Sequence, residues 1–137
     1  MASLSPLEMI ERNAALVIES SRQQFGETLA YDQPSVEWLD GYIERLRQQS
    51  YADDDIDKLI NVFGSFLGEC IRHHYGGEWA DEQNNWVIRF DANNAAFPFN
   101  KVLKQFKNGS EAGDSIASFY ANIPILYADV LSKDDPQ

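Results

Sequence analysis

Residues 64–79, "GSFLGECIRHHYGGEW", gather the side chains of this chain best suited to chemistry. A carboxylate, a guanidinium and two imidazoles fall between Glu69 and His74, and an indole follows at Trp79. On a helix, Glu69 reaches Arg72 and His73 at the i+3 and i+4 positions. An imidazole can act as a base near neutral pH, and a guanidinium can hold an anion. Arg89 adds a second guanidinium on the segment that follows. Glu69, Arg72, His73, Trp79 and Arg89 are therefore the candidate ligand-binding residues of a site between a helix and a hairpin. The competing reading is structural. A buried carboxylate needs a partner, and Arg72, His73 or the more distant Arg89 would each serve Glu69.

Metal and nucleophile patterns are weaker. Cys70 and His74 share a helix face, but zinc takes four ligands from more than one element, and no second Cys/His element exists. Cys70 falls on the apolar side of its helix, whereas nucleophilic thiols need exposed, electropositive settings. The run Asp53–Asp55 has neither the glycine nor the spaced oxygen ligands of an EF-hand loop, and reads as a solvated helix start. No catalytic residue, metal or cofactor is assigned.

These residues need elements to hold them. Ser5, Pro6 and Glu8 form a capping box before a first helix, residues 5–25, stopped by Gly26. "ETLAYDQP" is a connection with room for a short extended piece. Ser35 caps a second helix with Val36, Leu39, Ile43 and Leu46 as its stripe. Trp38 and Tyr42 lie beside the stripe, while Glu37, Asp40, Glu44, Arg45 and Arg47 face water. The third helix, about 54–75, has a broad apolar face and is central. Its Gly64 and Gly68 lie on one side, where another backbone would approach closely. Gly76 caps it in the left-handed conformation, Gly77 reverses the chain, and Trp79 folds back over the helix end. "WVIRFD" and "AAFPF" read as an antiparallel hairpin over about 86–99, with Pro98 at its edge or end. Asn100 caps a short helix ending at Gly109. Ser110 caps a last helix to about Leu131, interrupted at Pro124, before a frayed "SKDDPQ". The fold class is α+β and mainly helical: three N-terminal helices, a hairpin and C-terminal helices in one domain, 1–137.

The net charge of −11 is uneven. Residues 1–57 carry 12 acids against 4 bases, residues 58–109 carry 5 against 6, and residues 110–137 carry 5 against 1. Such a chain is repelled by nucleic-acid phosphates and anionic membranes and attracts a basic protein or a cation. The lone cysteine excludes an intrachain disulfide. With no basic leader and no apolar run of spanning length, a cytoplasmic location is the expectation.

The run "FGSFLGECIRHHYGGEW", followed by a hydrophobic strand, "FPFNKVLKQFKNG" and "DSIASFY", resembles the signature of a family of small bacterial domains of unknown function. That signature is G-x-[FY]-[LF]-G-E-x-[IL], then Y-G-G-x-W, and the resemblance covers about residues 36–121. It implies an α+β domain in a bacterial cytosol and names no catalytic residues. Two functions are open. One is a non-enzymatic acidic interaction module, immunity-type proteins included, whose acidic patch comes from the first two helices and whose partner is basic. The other is a small-molecule binder or enzyme using the five residues above. A homodimer is compatible with either.

Overall fold

The structure, a computed structural model, describes residues 3–133; the last four residues of the expected frayed tail lie outside it. Helix α1 spans Pro6–Phe25 and begins as its sequence requires. The Ser5 hydroxyl accepts the Glu8 N–H at 3.1 Å, and the Glu8 carboxylate accepts the Ser5 N–H at 3.1 Å. The Ser5 N–H above all, and then the Ser5 hydroxyl, hold the Glu8 carboxyl below its usual range. Gly26 ends the helix at φ 67° and ψ 18°. Helix α2, Gln33–Arg47, starts earlier than the Ser35 cap predicts. Asp32 is the cap, accepting from the Ser35 N–H at 3.1 Å. The buried Ser35 hydroxyl instead accepts the Ala30 N–H, pinning the connection before the helix.

Helix α3, Asp53–Tyr75, is the axis of the molecule, with an unbroken buried run from Phe63 to Ile71. Its first turn holds three aspartates and its last Arg72, His73 and His74, both matched to the helix dipole. It touches α1 and α2 before it and, after it, the sheet and the next two helices. Cys70 lies wholly inside, among Leu67, Ile71 and other core side chains. Gly76 has a positive φ of 95°, but its ψ of −161° is extended rather than left-handed helical. Gly77 follows at φ 92°, so two successive glycines turn the chain out of the helix and back along it.

The sheet has three strands, not two. β1 (Glu78–Glu82), β2 (Asn85–Arg89) and β3 (Ala95–Ala96) pair antiparallel in that order. Trp79 lies opposite Ile88, and Ile88 opposite Ala96. The β1–β2 link uses Gln83 and Asn84, both at positive φ (55° and 68°), as a two-residue hairpin turn demands. The predicted returning strand stops at Ala96. Pro98 has no N–H for a ladder but suits a first helical turn, so α4 runs Pro98–Asn108 with Phe97, not Asn100, at its N-cap. Ser110 opens only a 3-10 turn to Ala112; Ser115 caps α5, Ile116–Leu126. The chain breaks at Tyr127, three residues after Pro124, before α6, Ala128–Lys133, giving the two segments expected there.

The polar side of α2 does not all face water. Asp40 accepts from the Ser115 hydroxyl and from the Ala117 N–H. Glu44 accepts from Gln105 at 2.9 Å and from the Ser110 N–H at 3.2 Å. Arg47 donates to the Phe106 carbonyl. Glu37 and Arg45 are exposed as predicted. The correction has a simple cause: α4 and α5 pack on this side of α2, and their free backbone groups need partners.

The core around Cys70 also makes a chemical prediction. Burial above all, then the Asp32 charge, pushes the Cys70 thiol well up. Burial does the same to Tyr120, whose hydroxyl meets the Cys70 carbonyl and, at 2.8 Å, His74 Nδ1. A folded-state pKa raised above the unfolded one favours the neutral form. That stability is complete below the unfolded values, about 8.5 for Cys and about 10 for Tyr, and is lost as pH rises toward the folded ones. The urea midpoint should hold steady to about pH 8.5 and then fall, and Cys70 should resist alkylation until the chain unfolds. A midpoint that rises between pH 9 and 11 contradicts this.

Candidate functional site

Four of the five predicted site residues meet on one side of α3. The Glu69 side chain is 7% exposed, and its Oε2 accepts from Arg72 at 2.8 Å and from the Trp79 indole at 2.9 Å. His73 Nε2 stands 4.0 Å from Oε1. Tyr31 stacks on the His73 ring with centroids 4.7 Å apart. The Glu69 bond raises the Arg72 pKa and keeps the guanidinium charged. Burial, then the Glu69 charge, raises the Tyr31 phenol.

Trp79 reaches Glu69 because β1 folds back along the helix. Its ring fills the space a side chain at Gly68 would take, and the Phe99 ring does the same at Gly64. The two small positions therefore receive aromatic rings rather than the expected second backbone. Trp79 and Phe99 also touch each other, with centroids 5.8 Å apart.

Arg89 does not join this group. Both Glu82 carboxylate oxygens accept from it, and it donates to the Asp91 carbonyl at 2.8 Å. That pair holds the Glu82 carboxyl below its usual range. Glu69 and Arg89 are thus each satisfied by other partners. Within this cluster Glu69 ties Trp79 to α3, and none of the five lines either groove described next.

One groove, about 410 Å³, lies where α1 and α2 splay apart over the first half of α3. Phe25, Trp38, Tyr42 and Phe63 form its aromatic wall; the ring pairs Phe25–Trp38, Phe25–Tyr42 and Trp38–Tyr42 have centroids 5.2–5.5 Å apart. Leu16 and Phe25 are each 48% exposed at its mouth. Arg45 lies over the Trp38 and Tyr42 rings, 6.0 and 5.4 Å from their centroids. Asp55 and Lys58 edge the groove from α3. Sequence reading placed Trp38 and Tyr42 beside the α2 stripe. Their i, i+4 spacing, off the stripe, was the available sign that α2 carries an aromatic face of its own.

A second groove, about 680 Å³, lies between the start of α1, the middle of α3, the β1–β2 turn and the start of α4. Its lining is asparagine, Ser65 and apolar or aromatic residues, with no charged side chain. Among the described residues no group of three or more His, Cys, Asp and Glu is placed to hold a metal ion, and no helix is long and apolar enough to cross a membrane. Compared with known proteins, the chain matches no family model, no curated protein and no solved structure.

Proposed function

We propose that this chain is a non-enzymatic interaction module of the bacterial cytosol, immunity-like in kind, that binds a basic protein through the aromatic groove between α1, α2 and α3. The observation that carries the reading is an aromatic groove built largely from residues 1–57, the part of the chain with the greatest excess of acids. Of the acids in residues 1–57, only Asp32, Asp40 and Glu44 are partly buried, and all three accept hydrogen bonds from within the chain. The others, Asp53–Asp55 at the head of α3 among them, are exposed. A half-exposed phenylalanine and leucine at the mouth offer apolar contact, and the surrounding carboxylates offer steering to a cationic partner. An amphipathic basic helix would bury its apolar face in the groove and leave its cations against the acids.

The immobilised chain, incubated with lysate of its own cells at low salt, should retain a basic protein that a moderate salt step releases. Phe25→Asp alters a half-exposed side chain at the last position of α1 and should abolish the capture while leaving the fold intact. Capture that survives high salt, or that ignores Phe25→Asp, would sink the proposal.

A further inference from the structure

We propose a second, separate binding surface: the outer face of α4 and α5 takes an acidic amphipathic helix of another protein. On a chain of net charge −11 this face has the opposite sign. Residues 92–110 hold three lysines, Lys101, Lys104 and Lys107, and no acid, and residues 115–128 hold no charged side chain. Among the described residues none of the three lysines has a carboxylate at ion-pairing distance, whereas Arg22, Arg47, Arg72 and Arg89 each have one. The acids that flank the two helices in sequence are Asp91, Glu111, Asp114 and Asp129, and Asp114 accepts from the Asn108 amide at 2.9 Å. Stability alone does not call for this placement. A helix N-terminus favours carboxylates, and α1 and α3 have them there, but the first turn of α4 has none and carries Lys101 instead.

The lysines recur at every third residue, on the side of α4 turned away from the buried Val102 and Gln105. Lys104 and Lys107 are exposed. Lys101 is half-buried, and its Nζ stands 4.7 Å from the centre of the Phe119 ring, which joins the basic face of α4 to α5. Apolar side chains extend the surface. Phe97, one turn before Lys101, is 45% exposed, and Leu126, at the i+7 position from Phe119, is 60% exposed. Cations beside apolar contacts on two neighbouring helices suit a guest helix with an apolar face and a carboxylate flank. Reach decides against other anions. A nucleic acid or an anionic membrane extends past this face and meets the repulsion of a chain with 22 acids. A second copy would bring its own net charge of −11. One helical segment presents its carboxylates to this face alone. None of the residues lining the groove between α1, α2 and α3 belongs to α4 or α5, so the two surfaces are independent.

The test uses the full chain, labelled with ¹⁵N and titrated with a blocked helical peptide that carries leucine along one face and glutamate along the other. The backbone amides of α4 and α5 should shift and saturate, and binding should weaken at least tenfold from 50 mM to 500 mM salt. The double variant Lys104→Glu, Lys107→Glu should weaken binding at least tenfold, and so should Leu126→Asp; the dispersion of each spectrum reports that the variant is folded. Should one variant misfold, the other still decides. Phe25→Asp should leave this binding unchanged, which separates it from the capture of a basic partner. The surface is overturned if the peptide shifts no amide of α4 or α5, or if both variants bind it as the wild type does. A scrambled peptide of the same composition that binds equally well overturns the amphipathic helix as the guest. Shifts of α4 and α5 with phosphatidylserine vesicles or an oligonucleotide, but not with the peptide, overturn a protein partner, and shifts on concentrating the chain alone assign the face to a second copy instead.

Discussion

Replacing Gln105 by leucine is expected to lower the free energy of unfolding by about 3 kcal/mol, although the two side chains are similar in size and the position is wholly buried. The reason lies in the first turn of α5. A helix leaves its first N–H groups without partners of its own. Here each finds one. Ser118 donates to the Ser115 hydroxyl, Ala117 to the Asp40 carboxylate from α2, and Ile116 to the Gln105 side-chain oxygen from α4, the last at 2.8 Å. The Gln105 nitrogen in turn donates to the Glu44 carboxylate at 2.9 Å and to the Asp40 carbonyl at 3.2 Å. Leucine removes all of these bonds. It orphans a buried N–H, at about 1–3 kcal/mol, and removes a bond to a charged group, worth about 1.5–3 kcal/mol. The gain in apolar burial offsets about 1 kcal/mol of that. For a protein of ordinary stability this is a large fraction of the total. The urea midpoint should drop by roughly 2 M at an unchanged slope. A drop of less than about 0.5 M would mean that α5 is held by packing alone, and Asp40 and Glu44 would then be ordinary surface acids.

That network also marks the limit of what the sequence discloses. Capping is local, so Ser5, Pro6 and Glu8 announce the start of α1 and Gly26 its end, and the structure repeats the capping box bond for bond. The central place of α3, the burial of Cys70 and a break after Pro124 follow from periodicity and from proline's missing N–H, which are local signals too. Asp40 and Glu44 have nothing local to betray them. At helical spacing they read as solvent-facing charges, and only the arrival of residues 105–117, more than sixty positions later, turns them into acceptors. β1 is hidden for a related reason. "EWADE" has little intrinsic strand preference, and pairing with β2 across the Gln83–Asn84 turn imposes its conformation. The consecutive asparagines at 84 and 85 were the one signal for that turn. Of the five candidate residues, the local pair Glu69–Arg72 was legible from i, i+3 spacing. The capture of Arg89 by Glu82 depended on the strand the sequence did not reveal.

Gly68→Ala should reverse the usual sign of a glycine substitution in a helix. In an open helix interior, alanine in place of glycine stabilises by about 1 kcal/mol, because the glycine backbone has more freedom to lose. Gly41, within α2, is such a position: an added Cβ would meet nothing nearer than the flexible end of Arg45 at 3.7 Å. Gly41→Ala should therefore raise stability by about 0.5–1 kcal/mol. Gly68 offers no such space, because the Trp79 ring occupies it. An indole wedged between a helix and a strand cannot yield as an arginine tip can. Even one methyl group must push it outward, at a cost of about 1–3 kcal/mol for overpacking. Valine would expel the ring altogether. The indole would then leave Glu69 Oε2, and the buried carboxylate would keep Arg72 as its main partner. β1, which is held to α3 chiefly through Trp79, would lose its anchor. We expect Gly68→Val to cost about 3–5 kcal/mol, the range for overpacking compounded by a weakened buried charge. Trp79→Phe removes the bond to Glu69 together with the fused-ring atoms Cη2, Cζ2 and Cζ3 that lie over Gly68, so a cavity adds to the lost bond. Its cost should be about 2–4 kcal/mol, a hydrogen bond to a charged group plus the cavity. Denaturant midpoints for these four variants, read beside tryptophan fluorescence, give the answer. If Gly68→Ala and Gly41→Ala shift stability in the same direction, the ring does not seat on the helix backbone, and Glu69 has some role other than holding Trp79.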